Sequence, residues 1–517
     1  MGRLNELLSG LNILEIRGAE NFDTLQIAGV SYHSGKTKKD DIFVCIKGYK
    51  TDGHSYIDSA IKNGAVAVIV EVISKDFEIP QILVEDSRKA LAIISSNFYN
   101  NPSKKMKIIG ITATNGKTTT AYMTNHIFET FGLSTGIIGT VSVKYKDKEI
   151  PSYLTTPESL DLQGYLRDMH DENIDVVTME VSSSALDLKR VYGVDFDIVT
   201  FNNISREHID LHGSFEEYFK AKSSLITNAK EGSWAILNLD CPYSSSLQEK
   251  TKANVLTFSV EKDEGHFCCK NLDLSSGRGK FVLDIRKPFT VGDYTYEKSE
   301  YELSLSVPGY HSVYNAMVAI GVGLLSGVPI EIIKESFTTF VGVERRFEFI
   351  YEKDFKIIDD HFANSGNIDV TLETLDYMDY KNLELVYAIR GSRGPIVNKE
   401  NAESIVKWSK KLGLNHIIAT KSISHTTEKD KVLEEEVQVF KEVLDNAGLS
   451  YTIYDELDEA IDNSLSHAGE GDVILLAGCQ GMDYGANLAL NLLHKKNPKL
   501  DKDELFLPLK DRVCGMD

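Results

Sequence analysis

Short apolar runs alternate with longer amphipathic segments along most of the chain. Residues 41–48, 65–72, 174–181 and 197–204 are apolar runs, and we predict that each forms a strand buried in a sheet. A helix is predicted between the first two runs, at residues 56–63. Several runs end in polar residues, as parallel strands do where they deliver functional groups at the carboxyl edge of a sheet. The pattern predicts an α/β fold.

The same pattern divides the chain into three regions. Residues 1–105 form a small α/β unit that ends in the polar linker 100–105, and residues 106–340 form a central domain. The third domain, 341–517, contains four apolar runs that alternate with helices such as 400–412, which indicates a doubly wound sheet. The predicted strands of this domain are residues 383–390, 416–420, 451–455 and 472–478.

The central domain contains one segment of a different kind. Residues 233–240 repeat the buried-strand pattern, whereas residues 301–309 alternate and predict an antiparallel strand. A helix is predicted directly after it, at residues 312–326.

Composition and charge narrow the classes of partner. The 517 residues are 42% hydrophobic and 26% charged, and the net charge of −21 comes with no long basic run. We therefore expect neither nucleic acid nor an anionic membrane as a partner. No apolar run is long enough to span a bilayer, the first residues lack a signal-peptide core, and the six cysteines form no C-x-x-C pair. We predict a cytoplasmic monomer without membrane insertion and without a zinc site.

The segment IIGITATNGKTTTAYM, residues 108–123, begins as a buried strand and ends as a helix. Gly116 lets the backbone approach a ligand, Lys117 supplies a positive charge, and the hydroxyl of Thr118 suits Mg²⁺. The alternative is an ordinary strand–turn–helix with a capping threonine. The flanking strand and helix favour phosphate binding at the helix N-terminus. The strict P-loop pattern requires glycine five residues before Gly116, and Ile111 stands there, so this is not the standard P-loop.

Polar residues in three later stretches are further candidates. Glu180 ends a predicted buried strand, where metal ligation would offset the cost of a buried carboxylate, although a capping or salt-bridged glutamate is a common alternative. His208 is either a metal ligand or an ordinary loop histidine. Lys222 lies in an apolar helical segment, and the alternative is a solvated lysine. Thr155 and Thr156 precede a proline, which makes a rigid turn for phosphate or sugar oxygens.

In this order, the loop and these stretches resemble the Mur ligase family, most closely its MurE-type members, which add the third amino acid to UDP-N-acetylmuramoyl-L-alanyl-D-glutamate. The similarity extends from about Ser34 to Glu348, and Ala113 replaces a glycine of the family's loop. The resemblance implies a three-domain architecture with a central P-loop-like ATPase domain and a doubly wound C-terminal domain. It also implies ATP and Mg²⁺ as cofactors, and a UDP-muramoyl dipeptide and an amino acid as substrates.

The resemblance assigns roles to individual residues. The implied ATP contacts are Thr114, Asn115, Gly116, Lys117, Thr118, Thr119, Asn315, Arg346 and Asp359. The implied metal ligands are Thr118, Glu180, His208 and Lys222, and Lys222 matches the lysine that the family carbamylates with CO₂. The implied contacts of the UDP-linked substrate are Ser34, Thr155, Thr156, Ser182 and Arg190. The catalytic residues would be Lys117, Lys222, Glu180 and His208.

The third domain departs from the family pattern. The family's D-Y-A-H-x-P motif falls at residues 359–365, where an aspartate is kept, and its G-K-G-H-E motif is replaced at residues 477–483. The D-N-P-R signature for diaminopimelate is absent, and His425 stands in for its arginine. Because a neutral histidine holds a second carboxylate weakly, we predict that meso-diaminopimelate is not the preferred amine. A diamine without a second carboxylate, or a neutral amino acid, is predicted to react better.

These observations predict an ATP-dependent, ADP-forming amide ligase that works through an acyl phosphate in peptidoglycan precursor synthesis. Two alternatives stay open. The same activation chemistry can serve a different carboxylate acceptor or amine, since the departures lie in the segments that choose the amine. A nucleotide-binding scaffold without ligase activity is the other alternative, and the intact set Lys117, Glu180, His208 and Lys222 argues against it.

Overall fold

A computed structural model describes residues 2–18, 25–48, 51–206, 209–510, 512 and 514–515. Within this part of the chain two compact units are found. The first comprises Met1–Cys268, Arg286–Glu297 and Met317–Ile333, and the second comprises Cys269–Ile285, Lys298–Ala316 and Lys334–Asp517. The strands and helices alternate, which confirms the predicted α/β class.

The first hundred residues form a sheet with helices packed on it. The elements are β1 (Gly2–Arg3), α1 (Leu4–Leu7), β2 (Ile13–Arg17), β3 (Gln26–Ile27), β4 (Gly29–Ser31), β5 (Asp41–Val44), α2 (Ile57–Lys62), β6 (Ala65–Val70), β7 (Gln81–Val84) and α3 (Ser87–Phe98). The sheet order is β2-β7-β6-β5-β4, and β4 to β7 run parallel. The apolar residues of β5 and β6 other than Val66 are buried on both faces, since helices cover a parallel sheet on both sides.

The central part of the chain continues the alternation. Its elements are β8 (Lys107–Thr112), α4 (Lys117–Thr130), β9 (Thr135–Ile138), β10 (Ser142–Tyr145), β11 (Lys148–Pro151), α5 (Ser159–Asp171), β12 (Val176–Glu180), α6 (Ser183–Asp187), β13 (Ile198–Phe201), α7 (Ile209–His212), α8 (Phe215–Thr227), β14 (Trp234–Asn238), α9 (Pro242–Ser245), β15 (Asn254–Ser259) and β16 (Phe267–Asp273).

In the first unit these strands form one sheet. Its order is β11-β10-β9-β12-β8-β13-β14-β15, followed by the first residues of β16. Strands β9, β12, β8, β13, β14 and β15 are parallel, so their carboxyl ends share one edge. The loop between β8 and α4 lies at this edge, beside the ends of β12 and β13.

The remaining elements follow in chain order. They are β17 (Arg278–Ile285), β18 (Phe289–Val291), β19 (Tyr294–Tyr296), β20 (Ser299–Pro308), α10 (Tyr310–Leu325), α11 (Ile330–Thr339), β21 (Glu348–Glu352), β22 (Lys356–Asp360), α12 (Ser365–Asp376), β23 (Leu383–Ala388), α13 (Gly394–Ser409), β24 (His416–Thr420), α14 (Glu434–Ala447), β25 (Ser450–Tyr454), α15 (Leu457–His467), β26 (Val473–Ala477), α16 (Gly485–Lys496) and α17 (Lys502–Leu505).

The second unit contains the doubly wound sheet that the sequence predicts. Its order is β21-β22-β26-β23-β24-β25, in which β22 to β25 are parallel and β21 is an antiparallel edge strand. Separate apolar clusters lie on its two faces. The predicted antiparallel strand at 301–309 is confirmed as β20, which pairs with β17.

Two local predictions differ from the structure. The helix predicted at 400–412 is α13, which begins earlier, because Pro395 lies in its first turn where a missing N–H costs nothing. The predicted linker 100–105 forms a short 3₁₀ turn in which Pro102 and Ser103 are buried, so it is packed against the domain. None of the helices in the described residues has the length and apolar character needed to cross a membrane.

Candidate active site

The loop between β8 and α4 is fixed from the side of β13. The backbone N–H of Asn115 donates to Oδ1 of Asn203 at 3.0 Å, and Nδ2 of Asn203 donates back to the carbonyl of Asn115 at 3.0 Å. The N–H of Thr114 donates to the carbonyl of Asn203. Gly116 has φ +87°, a left-handed conformation that glycine adopts without strain, and α4 begins at the next residue. The turn therefore presents the N-terminus of α4, where backbone N–H groups favour a bound anion.

Two lysines contact the backbone carbonyls of this loop. Nζ of Lys117 donates to the carbonyls of Ala113 and Thr114 at 3.0 and 2.9 Å. Nζ of Lys222, on α8, donates to the carbonyl of Ala113 at 2.6 Å and lies 5.2 Å from the ring centre of Tyr218. Lys222 is only 1% exposed, so the alternative of a solvated lysine is wrong. Two ammonium groups thus share one carbonyl oxygen at the mouth of the helix.

Glu180 ends β12 as the sequence predicts, and its side chain is completely buried. Oε2 accepts hydrogen bonds from the hydroxyls of Thr118 and Thr140 at 3.0 and 3.1 Å, and Oε1 accepts the backbone N–H of Thr140 at 2.8 Å. No Lys or Arg pairs with Glu180 in the described part of the chain, so it is not a salt-bridged glutamate there. Carboxylate and hydroxyl oxygens are the ligands that Mg²⁺ prefers, and the pair Glu180–Thr118 therefore fits this ion.

The predicted contacts of the UDP-linked substrate gather at the same strand end. The hydroxyl of Thr156 donates to the carbonyl of Glu180 at 2.8 Å and accepts the N–H of Ser182 at 3.1 Å. The hydroxyls of Thr155 and Thr140 lie 3.1 Å apart. Nη1 of Arg190 donates to the carbonyl of Thr156 at 3.2 Å. The structure thus brings the turn 155–156, Ser182 and Arg190 together, although their ligand is still a prediction.

Of the other predicted site residues in the first unit, Ser34 lies apart from this cluster and His208 lies outside the described residues. Ser34 begins a 3₁₀ turn, is half-buried, and its hydroxyl forms no hydrogen bond to another described residue. Such a hydroxyl is available to a ligand. His208 lies outside the described residues, so its predicted role as a metal ligand stays a prediction.

The remaining predicted nucleotide contacts, Asn315, Arg346 and Asp359, belong to the second unit. Asn315 lies on α10 and is buried. Asp359 is completely buried and pairs with Nε of Arg345 at 3.4 Å and with Nη2 of Arg512. Nη1 of Arg346 donates to the carbonyl of Arg345 at 3.1 Å. In this structure the carboxylate of Asp359 is thus engaged by two arginines, and its predicted contact with ribose is untested.

Burial shifts the titration of groups around this ion-pair cluster. Burial raises the pKa of Glu348 to about 7, even though Nη1 of Arg512 lies 3.3 Å from its carboxylate. Burial lowers the pKa of His361 well below its ordinary value, and the positive charges of Arg346, Arg345 and Arg390 lower it further. His361 is therefore neutral at physiological pH.

The segments expected to select the amine have contacts of their own. The rings of His425 and Tyr484 lie with their centres 5.1 Å apart. Nη2 of Arg393 lies 3.7 Å from Oδ1 of Asp430, and the N–H groups of Arg393 and Gly394 donate to the buried carboxylate of Glu436. The start of α13 is thus occupied by an internal carboxylate.

Sequence reasoning missed several residues that shape the site. Asn203 and Thr140 each follow a strand of the parallel sheet, and that position was the signal that could have identified them. The hydroxyl of Tyr218 lies 2.9 Å from that of Thr114, and Tyr218 lies one helical turn before Lys222. Arg345 is 4% exposed and reaches the carbonyls of Gly478 and Cys479, a contact with no local signal in the sequence.

Known protein families match this chain in three regions. Three sequence models match the chain in order: the Mur ligase family catalytic domain at 26–99, the Mur ligase middle domain at 111–323, and the Mur ligase glutamate ligase domain at 345–480. These matches cover all three regions of the chain.

Relatives match over almost the whole length. The UDP-N-acetylmuramoyl-L-alanyl-D-glutamate–2,6-diaminopimelate ligase of Caldanaerobacter subterraneus subsp. tengcongensis is 38% identical over 478 residues, which are 92% of this chain and 93% of the relative. The ligase of the same name from Clostridium botulinum is 36% identical over 471 residues, 89% of this chain and 91% of the relative.

Solved structures show the same fold at lower identity. A structure of a UDP-N-acetylmuramoyl-L-alanyl-D-glutamate–2,6-diaminopimelate ligase gives a TM-score of 0.68 at 21% identity, covering 93% of this chain and 94% of that one. MurF from Acinetobacter baumannii gives 0.64 at 20% identity, covering 95% and 98%. The three-domain α/β architecture, the three matching family models and the full-length relatives lead to one conclusion: the chain belongs to the Mur ligase family of ATP-dependent ligases.

Proposed function

We propose that the chain joins an amino acid to UDP-N-acetylmuramoyl-L-alanyl-D-glutamate by an ATP-dependent reaction that forms ADP. The observation that carries the proposal is the cluster at the mouth of α4, where Lys117, Lys222 and the buried pair Thr118–Glu180 surround one loop. The names of the relatives support the acceptor, since proteins 38% and 36% identical bear the name of a ligase for this dipeptide.

The chain's own groups account for nucleotide binding. The amides at the N-terminus of α4 and the ammonium of Lys117 would contact the phosphates, and Lys117 would exchange its loop carbonyls for phosphate oxygens. Thr118 and Glu180 would hold Mg²⁺, together with His208 and Lys222 if these act as the resemblance implies. The bound ion would offset the negative charge that develops when a carboxylate meets a triphosphate.

The reaction would proceed in two transfers. The γ-carboxylate of the D-glutamyl residue attacks the γ-phosphorus of ATP, the bond to the β-phosphate oxygen breaks, and an acyl phosphate and ADP result. The amine of the incoming amino acid then attacks the acyl carbon, loses a proton, and expels phosphate from the tetrahedral intermediate. Lys117 stabilises charge in the first transfer, and the turn 155–156 with Arg190 orients the acceptor.

Lys222 is proposed to act as a carbamate. Its neutral amine adds to CO₂ and loses a proton, which converts a cation into an anion. In the structure its ammonium lies on the carbonyl of Ala113, beside Lys117 and in a buried site. Conversion to an anion would relieve the repulsion between two neighbouring cations and supply a further oxygen ligand near the loop.

The incoming amine, the monomeric state and the cytoplasmic location remain parts of the proposal. The relatives' names point to diaminopimelate as the amine. The segment at 422–425 points away from it, because His425 offers fewer donors to a second carboxylate than arginine does. A direct comparison of amines decides between the two.

The test uses the full chain with ATP, Mg²⁺, the UDP-muramoyl dipeptide and a panel of amino acids. We expect phosphate release that requires both acceptor and amine, and a product mass equal to the sum of acceptor and amino acid minus water. A scaffold would bind ATP without turnover, and a ligase for another acceptor would release phosphate only when that acceptor is supplied. Lys117→Ala serves as the inactive control.

A further inference from the structure

Glu158 joins two arginines from different parts of the first unit. It directly precedes α5, and its Oε1 accepts a hydrogen bond from Nε of Arg190 at 2.9 Å. Its Oε2 lies 3.3 Å from Nη1 of Arg88, which belongs to the first turn of α3. The side chains of Glu158, Arg88 and Arg190 are only 14%, 14% and 10% exposed. One carboxylate therefore faces two guanidinium groups in a half-enclosed place.

Both guanidinium groups keep donors in reserve. Nε of Arg88 donates to the carbonyl of Lys47 at 2.9 Å, and Nη1 of Arg190 donates to the carbonyl of Thr156. The Nη2 groups of both arginines make no hydrogen bond to any residue with a described position. Arg88 and Arg190 thus bring two positive charges to a single carboxylate, and guanidinium donors suit an anion with several oxygen acceptors.

We propose that Arg88 and Arg190 together bind an oxyanion of the acceptor, and that Glu158 is a positioning residue that holds both guanidinium groups in place. The oxyanion is the diphosphate or a peptide carboxylate of the UDP-linked acceptor. This inference rests on the proposed function and deepens it, since it names a second arginine and its positioning carboxylate for the acceptor site. Arg190 is already a candidate contact, whereas Arg88 and Glu158 are not.

A merely structural tie between α3 and α5 is the competing explanation. A link between α5 and another N-terminal segment exists without Glu158: the hydroxyl of Tyr32, which follows β4, donates to Oδ2 of Asp161, on the first turn of α5, at 2.6 Å. Tyr32 and Asp161 already connect α5 to the N-terminal region. A purely structural link would therefore not need a second contact with two arginines that both keep unused donors.

The test measures binding by calorimetry on the full chain with three probes. The first is the UDP-muramoyl dipeptide, the second is UDP, which has the diphosphate but no peptide, and the third is N-acetylmuramoyl-L-alanyl-D-glutamate, which has the carboxylates but no diphosphate. The variants are Arg88→Gln, Arg88→Lys and Glu158→Gln. Arg167→Gln is the matched control, because Arg167 pairs with Asp171 on the same helix α5, four residues away.

For Arg88→Gln we expect about tenfold weaker binding of the UDP-muramoyl dipeptide, as expected for the loss of a charge-assisted hydrogen bond. Arg88→Lys should recover part of this loss, since lysine keeps the positive charge but lacks the paired N–H donors of a guanidinium group. Glu158→Gln should raise KM for the acceptor while kcat and KM for ATP stay near wild type. Weaker binding of UDP, with unchanged binding of N-acetylmuramoyl-L-alanyl-D-glutamate, supports a diphosphate ligand. The reverse result supports a carboxylate ligand.

Two outcomes overturn the inference. One is unchanged binding of all three probes by Arg88→Gln, and the other is an equal loss for ATP and acceptor together with a lower Tm, which is the signature of a structural tie. Failure of the proposed function looks different, because the wild-type chain then binds no UDP-muramoyl dipeptide. In that case inorganic diphosphate, tested in a Lys117→Ala background, is the probe: weaker binding after Arg88→Gln supports the oxyanion site, and unchanged binding overturns it.

Discussion

Replacing Glu180 by glutamine should lower kcat strongly while it changes the stability of the fold only slightly. Oε1 of Glu180 accepts a backbone N–H, and Oε2 accepts two hydroxyls, those of Thr118 and Thr140. A glutamine can keep its carbonyl oxygen on the backbone N–H. Its NH₂ group then faces the two hydroxyls, which can rotate and accept instead of donate. The carbonyl oxygen and the NH₂ group of the glutamine can therefore both keep hydrogen-bond partners.

The magnitudes follow from these contacts. Hydrogen bonds to a charged group contribute about 1.5–3 kcal/mol and neutral ones about 1 kcal/mol, so exchanging three of them costs a few kcal/mol at most. Removing a buried charge that pairs with no described cation offsets much of this loss. We expect a net change near 1 kcal/mol, or roughly 2–4 °C in the apparent Tm. The loss in kcat should be about 10²-fold or more, because the proposed metal ligand loses its charge.

The assay compares the wild-type chain, Glu180→Gln and the exposed-carboxylate control Glu172→Gln. Each is characterised by its thermal unfolding and by its phosphate release during a Mg²⁺ titration. Gly139→Ala adds an independent perturbation, since an added Cβ would clash with Oε1 of Glu180 and displace the carboxylate. Wild-type kcat and an unchanged Mg²⁺ dependence in Glu180→Gln would refute the assignment of Glu180 to the metal.

Four further predictions concern other residues. Lys117→Ala should abolish ATP turnover with a normal circular dichroism spectrum, and normal phosphate release by the folded variant would disprove the phosphate-loop assignment. Lys222→Ala should be nearly inactive, partly rescued by added short carboxylates, and the wild type should slow in CO₂-depleted buffer; wild-type rates in the variant would exclude a carbamate. Values of kcat/KM for meso-diaminopimelate, L-lysine and L-ornithine test whether His425 disfavours a second carboxylate, and a clear preference for diaminopimelate would contradict that prediction. Burial raises the pKa of Glu348 from its ordinary 4.5 to about 7. The protonated form is thus favoured in the fold, so about 3 kcal/mol of stability that is present below pH 4.5 should be lost as the pH rises through 7, and Glu348→Gln should flatten urea-unfolding stability across this range.

The sequence predicts strands in all three parallel sheets well because burial on two faces leaves a strong local signal. The runs at 65–72 and 174–181 contain strands β6 and β12, and the run at 416–420 is strand β24. The ends of elements are less predictable, since they depend on single residues. Pro395 moves the start of α13 towards the N-terminus, and the polar segment at 100–105 is packed because Pro102 and Ser103 are buried.

The residues of the candidate site also differ in how well the sequence predicts their positions. Lys117, Thr118 and Glu180 lie next to a strand end or a helix start, so their positions follow from the predicted elements and from the parallel order of the strands. The predicted elements do not show which residues from distant parts of the chain contact them. Thr140 reaches Glu180 across 40 residues and Asn203 reaches Asn115 across 88, so the position of each after a strand marks the residue but does not indicate its partner.

The contrast is sharpest around Asp359, where a carboxylate was expected to face the nucleotide. In the structure Asp359 lies in β22, next to the last residue of the strand. The sequence does not predict that Arg345, held at φ +55°, turns its side chain onto this carboxylate, or that Arg512 pairs with it from 153 residues away. A buried carboxylate needs a cation as its partner. The family resemblance implied instead that Asp359 contacts the bound nucleotide. In the structure the chain itself supplies two guanidinium groups, so a nucleotide contact at Asp359 would have to compete with both.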